Sequence, residues 1–352
     1  MRNAERPLIT TIIPTFRRPK LLRRAILSVL KQTYPNFQVC VYDNASCDET
    51  VEVVAEFMRQ DKRVTYYAHN QNIGAMENFQ YGYDRVATPY FSFLSDDNFL
   101  FPGFYEQAIQ YLEEHSQDMM YCTPMLAGND KWGVELLAAW PEGRYSQSDA
   151  LMRLWENIIV WDSVLFRSDI RKVVKTFSGY YSDLSLIMQC ASQHSFYVSK
   201  NSGACEIWTM KNISANMKMH DIKDSLLHLK CDIIDNGNLP DEIRKASEQA
   251  WRKMAIGRYY RMSAKKFMEG DAEQVRLAQE YLYELGAYRQ AMVVKIFYCL
   301  NKLGTPFSWV AIKAIMAYKH YFSWRFPKLT YEEICYYQQL LDGSKDLYLA
   351  GK

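Results

Sequence analysis

Within the first ~125 residues, four short apolar runs alternate with stretches whose apolar residues recur at helical spacing, and few folds accommodate that order. LITTII (8–13) stops at Pro14, after which Leu21, Leu22, Ala25, Ile26, Val29 and Leu30 recur, with Pro19 suited to a first helical turn. FQVCVYD (37–43) is followed by a polar turn, NASCDET, and a helix carrying Val51, Val54, Ala55 and Met58 on one face. RVTYYA (63–68) precedes a helix over 75–87, and YFSFLS (90–95) precedes one that begins near Pro102. Four β-α units in succession imply an α/β fold: a mostly parallel, Rossmann-like sheet flanked by helices on both faces.

In such a sheet ligands collect beyond the carboxyl ends of the strands. Strand one ends at Pro14-Thr15, strand two at Asp43-Asn44, strand three near Asn70 to Gly74, and strand four at Asp96-Asp97. Two of these four polar exits bear carboxylates. Adjacent acids at the tip of an apolar strand repel each other and lose hydration. An Asp-Asp-Asn turn is one account of them, and a cation site is the other.

Past residue 118 the pattern is less regular. MMYCT (119–123) and IIVWDSVLF (158–166) read as strands, with helices near 147–157 and behind Asp183, where Leu184, Ile187, Met188 and Ala191 share a face. From about 222 onward the pattern is helical throughout, including a hairpin broken at Gly270-Asp271, and turn-rich DNGNLPD (235–241) marks a boundary. Residues 1–222 are accordingly read as one domain, with halves of about 1–117 and 118–222, and 223–352 as a helical C-terminal extension.

A net charge of +2 argues against nucleic acid as a partner. The eight cysteines form no C-x-x-C pair, as expected of core thiols in a reducing compartment. The N-terminus lacks a signal-peptide core, and no run is long enough to span a bilayer. The expected location is cytoplasmic. The segment 307–328 interleaves Lys313, Lys319, His320, Arg325 and Lys328 with Trp309, Phe322, Trp324 and Phe326. It suits either packing and self-association or peripheral contact at the inner face of a membrane.

The order of motifs resembles the family 2 glycosyltransferases with the GT-A fold. PTFRRPKLLRRAILSVLKQTYPNFQVCVYDNASCDET is similar to their opening, HNQNIGAMENFQYG to the next element, FLSDDNFLFPG to the metal-binding acids and SGYYSDLSLIMQCA to the segment with the catalytic acid. The likeness covers roughly residues 8–205. Many members carry D-x-D-D, whereas Leu94 replaces the first acid here.

The resemblance implies an inverting hexosyltransferase. It would use a nucleotide-sugar donor, a uridine one if Asp43 meets the base, and a glycan, lipid-linked or polysaccharide acceptor. Asp97 would ligate Mn²⁺ or Mg²⁺ and Asp96 would face ribose or sugar hydroxyls, though either acid suits the metal. Thr15, Arg17 and Asn72 join Asp43 in donor binding, Gly74 supplies positive φ, and Asn78 lies on the next helix. Asp183 is the implied general base, with Asp162 as the alternative; Asp183 also reads as a helix N-cap and Asp43 as a turn former. Trp155, Trp161 and Trp208 are stacking or core residues, and His220 is a late metal or phosphate contact or incidental. A sugar-nucleotide pyrophosphorylase would need a glycine-rich loop that PTFRRPK lacks. A non-catalytic sugar-binding protein on the same fold is the remaining alternative.

Overall fold

The computed structural model describes residues 8–128, 134–136, 140–177, 179–207, 217–303, 331–344 and 346. The first apolar run is strand β1 (Ile9–Thr15), buried at every position because β2 (Phe37–Asp43) and β4 (Tyr90–Phe93) pair with it in parallel on either side. β1 continues through Pro14 and so delivers Thr15 to its carboxyl end. β3 (Val64–Ala68) pairs in parallel with β2 and forms one edge of the sheet. Between them run α1 (Pro19–Leu30), α2 (Thr50–Gln60) and α3 (Ala75–Asp84). On α1, Leu22, Ile26 and Val29 are fully buried; each such side chain contributes roughly 1.5–3 kcal/mol relative to exposure.

After β4 the structure departs from the expected single helix. The chain leaves the large sheet and forms β5 (Asn98–Leu100), and only then α4 (Phe104–Glu114). The reason is apolar: Phe99 and Phe101 join Leu126, Leu136 and Cys205 in a core of their own. The acidic tip therefore links two sheets.

The chain continues through β6 (Asp118–Cys122), β7 (Met125–Gly128), β8 (Val134–Leu136), β9 (Gly143–Tyr145), α5 (Gln147–Glu156), β10 (Val164–Arg167), α6 (Ser182–Ala191), β11 (Ser195–Val198) and β12 (Ala204–Ile207). Among the described residues the large sheet has the order β3-β2-β1-β4-β10-β6-β11-β9 and the small one β5-β12-β7-β8. The expected parallel arrangement holds for β1 to β4. β10 then enters antiparallel to both β4 and β6, and β9 antiparallel to β11.

The chain divides into two compact units, one of residues 1–177, 182–209 and 326–352, the other of 178–181 and 210–325. The second is helical: α7 (Met219–Lys230) with a π turn over Cys231–Asp235, then α8 (Asp241–Met268), α9 (Ala272–Glu284) and α10 (Tyr288–Leu303). Its interior includes Leu226, Tyr259, Phe267, Val275 and Leu282. The break between α8 and α9 falls at Gly270, whose φ of 78° suits glycine, and Asp271 caps α9 by accepting from the Gln274 amide at 3.2 Å. The last helix, α11 (Tyr331–Gly343), belongs to the first unit, where Tyr337 joins the core of the small sheet.

Candidate active site

Because β1 to β4 are parallel, their carboxyl ends share one rim, and side chains stitch it together. Thr15 Oγ1 donates to Asp96 Oδ2 at 2.7 Å. The Asn44 amide donates to the Thr15 carbonyl at 2.9 Å. Asn44 Nδ2 reaches Asn72 Oδ1 at 3.1 Å and the Gly74 carbonyl at 3.0 Å, while its Oδ1 accepts from the Ile73 amide at 2.8 Å. Arg17 donates from its amide to Ser46 Oγ at 2.8 Å and from Nε to the Ser46 carbonyl at 3.2 Å. Gly74 has φ 99°, and Arg17, Ala45 and Cys47 are non-glycine residues at φ 55°, 60° and 53°. A left-handed non-glycine residue costs on the order of 1–2 kcal/mol, and such strain gathers at functional loops.

The acid pair lies at the centre of this rim. Asp96 is buried, with a side chain 8% exposed, and Asp97 is half-buried. The Arg18 guanidinium bridges them, donating to Asp96 Oδ1 at 3.2 Å and to Asp97 Oδ2 at 2.9 Å. Arg24 donates to the Asp97 carbonyl. Burial, and then the charge of Asp97, push the Asp96 pKa above the usual carboxylate range, while Arg18 and Thr15 pull it partly back. Burial works against the Arg18 cation, but the two carboxylates outweigh it and raise its pKa.

Among the described residues no three His, Cys, Asp or Glu side chains converge as a complete ligand cage. A cation here would take one or two carboxylates and complete its shell elsewhere, which Mg²⁺ and Mn²⁺ tolerate. The pair fits such an ion: its ligands are hard oxygens, and a guanidinium already stands in as the positive charge they require.

Asp43 is buried, and both its oxygens are engaged: Oδ1 accepts from the Ser46 amide at 3.0 Å and from Ser46 Oγ, and Oδ2 accepts from the Tyr66 hydroxyl at 2.7 Å. Asn72 is exposed and accepts from the Gly74 amide at 2.9 Å. Asn78 is buried on α3, donating to the Tyr42 carbonyl at 2.8 Å. Asp183 lies in the first turn of α6 and is half-buried rather than serving as an N-cap; its Oδ1 accepts from the Leu184 amide at 2.7 Å. Leu184, Ile187 and Met188 anchor that helix in the core. Ser182 Oγ lies 2.9 Å from Met76 Sδ, which brings the start of α6 to the start of α3, just past Gly74.

Asp162 is fully buried and has a structural task. Its Oδ1 accepts from the Ser95 amide at 2.6 Å and from Asn98 Nδ2 at 3.0 Å, so it fixes both ends of the acidic turn. Burial pushes its pKa up to about 6, against the Ser95 and Asn98 hydrogen bonds. Trp155 and Trp161 are core residues, each 4% exposed, with Trp161 ring centroids 4.5 Å from Phe79 and Phe93. His220 is exposed on α7 in the second unit and pairs with Asp221 at 3.0 Å. Trp208 and the segment 307–328 lie outside the described residues.

Sequence reasoning names Arg17 and places Asn44 at a strand end without a role, and it passes over Arg18 and Arg24. The signal for Arg18 is its place immediately before Pro19, which puts it at the start of α1 facing the strand ends.

A model of glycosyl transferase family 2 matches residues 10–174. The chain is 25% identical over 73% of its length to a GalNAc(5)-diNAcBac-PP-undecaprenol beta-1,3-glucosyltransferase of Campylobacter jejuni, and covers 82% of that protein. It is 29% identical over half its length to an uncharacterized glycosyltransferase of Rickettsia typhi, of which it spans 55%. Among solved structures, S. aureus TarS 1–349 in complex with UDP-GlcNAc shares the fold, with a TM-score of 0.64 at 15% identity over 83% of this chain and 88% of that one. A mannosyltransferase of Pyrobaculum calidifontis in complex with GDP-Man and Mn²⁺ has a TM-score of 0.51 at 13% identity, covering 91% and 88%.

Proposed function

Through residues 10–174 the chain belongs to glycosyl transferase family 2, and from that premise we propose a metal-dependent, inverting transfer of a sugar from a uridine-diphosphate donor to a glycan, glycolipid or polysaccharide precursor. The observation that carries the reading is the adjacent acid pair of buried Asp96 and half-buried Asp97, held by Thr15 and Arg18 on the same rim as Asp43 and Asn72. The donor class is supported by the UDP-GlcNAc and UDP complexes of TarS, the metal by the Mn²⁺ complex of the mannosyltransferase, and a lipid-linked acceptor by the Campylobacter relative.

Asp97, with Asp96 beside it, would hold the cation. When bound, that ion supplies positive charge against the departing nucleoside diphosphate. Asp43 offers a buried carboxylate whose Tyr66 hydroxyl partner can give way to an N–H of the base. Thr15 and Asn72 line the donor cleft, with Arg17 at its exposed lip. Asp183 takes the proton of the acceptor hydroxyl from the side opposite the leaving group, as inversion requires of a general base. A cytoplasmic setting agrees with eight cysteines none of which is in a disulfide.

The test is a thermal-shift panel of UDP-sugars with and without Mn²⁺, followed by transfer assays. Stabilisation should need ion and donor together. Asp97→Ala should lose that combined shift and at least ~100-fold in transfer. Asp183→Asn should keep the shift and lose about 10²–10⁴-fold in turnover. Undiminished transfer in chelator would remove the metal, and unchanged turnover of Asp183→Asn would move the base elsewhere.

A further inference from the structure

Helix α10 is apolar on two sides. One side packs into the helical unit, where Ala291 and Val294 are 0% exposed and Phe297 6%. The other presents Tyr288, Met292 and Ile296 at 68%, 55% and 54% exposure. These three are spaced four residues apart and form one stripe. Tyr283 of α9, its ring 6.1 Å from that of Tyr288, extends it. A helix that is apolar beyond its buried face has a second partner.

Charge identifies the partner. Lys295 and Lys302 flank the stripe on one side and Arg289 on the other, all three exposed, and α10 carries no acid. The bias continues along the chain: from 285 to 331 there is no Asp or Glu in 47 residues, against seven Lys and Arg. The whole protein has a net charge of +2, so this stretch holds +7 and the remainder −5. An isologous dimer through the stripe would bring two copies of this basic helix together, with no acid on either α10 to offset Arg289, Lys295 and Lys302. A lipid surface bearing negative headgroups complements both properties, admitting the apolar residues to the acyl boundary and meeting the cations with phosphate. No helix among the described residues is long and apolar enough to cross a membrane, so the contact lies along the interface.

We propose that α10 rests on an anionic lipid surface, with Tyr288, Met292 and Ile296 entering the interface and Arg289, Lys295 and Lys302 meeting headgroup phosphates. The proposal goes beyond the transfer reaction and does not depend on the acceptor, because binding is read without turnover.

The experiment is co-sedimentation of the full chain with phosphatidylcholine vesicles, with and without phosphatidylglycerol. Binding should be at least about tenfold stronger on the mixed vesicles and fall steeply as salt is raised. Met292→Ser with Ile296→Ser should weaken binding to mixed vesicles by about tenfold, and Lys295→Glu with Lys302→Glu should abolish the preference for them. Circular dichroism and melting of both variants establish that each is folded, and the charge pair keeps the test decisive if the apolar pair is not. Equal binding to both vesicle types, or binding untouched by the folded variants, would overturn the proposal. So would a dimer, seen by light scattering, that either pair dissolves.

Discussion

Arg18 and Arg17 are adjacent yet have different work. Arg17 is exposed and bonded to Ser46, whereas Arg18 neutralises two carboxylates that otherwise repel. Arg18→Gln should therefore destabilise the metal-free protein by roughly 1–3 kcal/mol, discounted for the partial exposure of the pair. Added Mn²⁺ should raise the melting temperature of this variant more than that of the parent, since the ion restores the missing charge. Equal shifts would mean that the pair has another counter-charge. Asp162 gives a prediction in pH. Its folded pKa of about 6 exceeds the ordinary 3.8, so between those values the folded state binds more protons than the unfolded. Its contribution to stability must fall as pH rises across that window, with the full cost persisting above it. Asp162→Asn retains an oxygen for Ser95 and Asn98 and carries no charge. Melting curves from pH 4 to 7 should show the variant gaining on the parent by roughly 1–3 kcal/mol, with transfer largely kept. Parallel curves would refute the burial argument, and a collapse of turnover would make Asp162 a base after all.

At the scale of elements, α1 explains why the acidic tip holds its shape. Arg24 and Ser28 on α1, and Gln32 two residues past its end, follow one another at intervals of four beside Leu22, Ile26 and Val29, and all three are buried. Arg24 donates to the Asp97 carbonyl, Ser28 Oγ accepts from the Leu100 amide at 3.1 Å, and Gln32 donates to the Phe101 carbonyl at 2.8 Å while accepting from the Tyr105 amide at 3.0 Å. This polar row along α1 and just past its end serves backbone groups between residues 97 and 105, where the chain passes between sheets. Gln32→Leu takes the acceptor from the Tyr105 amide and one of two donors from the Phe101 carbonyl, which keeps the Phe104 amide, and should cost about 1–3 kcal/mol in denaturant unfolding, with weaker Mn²⁺-dependent donor binding. A cost below ~0.5 kcal/mol would show that water replaces the side chain. This row was visible in the sequence as a polar stripe at helical spacing. The apolar positions of the same helix carry the stronger periodic signal and mask it. β5 was missed for a related reason: NFL is too short to show a period, and its pairing with β12 joins residues about a hundred positions apart.

On the scale of the whole molecule, legibility follows contact range. The β1–β4 half was readable because each strand is followed by the helix that covers it, so local pattern and tertiary position coincide. Beyond residue 118 they separate: β10 enters between β4 and β6 in the opposite direction, and nothing in VLFR records that choice. The candidate rim is legible to the same degree: Asp43, Asp96 and Asp97 are marked by strand ends, while the bonds of Arg18 and Asn44 need the rim to be assembled. The cysteines test the assembly as a whole. None of the eight is in a disulfide; Cys122, Cys190 and Cys205 are buried, Cys47, Cys231 and Cys299 exposed, and Cys40 and Cys335 lie between. Burial raises the pKa of Cys122 and Cys190, so these thiols are doubly protected from a thiolate-seeking reagent. In the native protein three thiols should react quickly with Ellman's reagent, two more slowly and three only after unfolding, with no change in melting temperature on adding reductant. Rapid reaction of all eight would contradict the packing of both the large sheet, through Cys122, and the small one, through Cys205. A melting temperature lowered by reductant would require a disulfide that the arrangement of these residues does not contain.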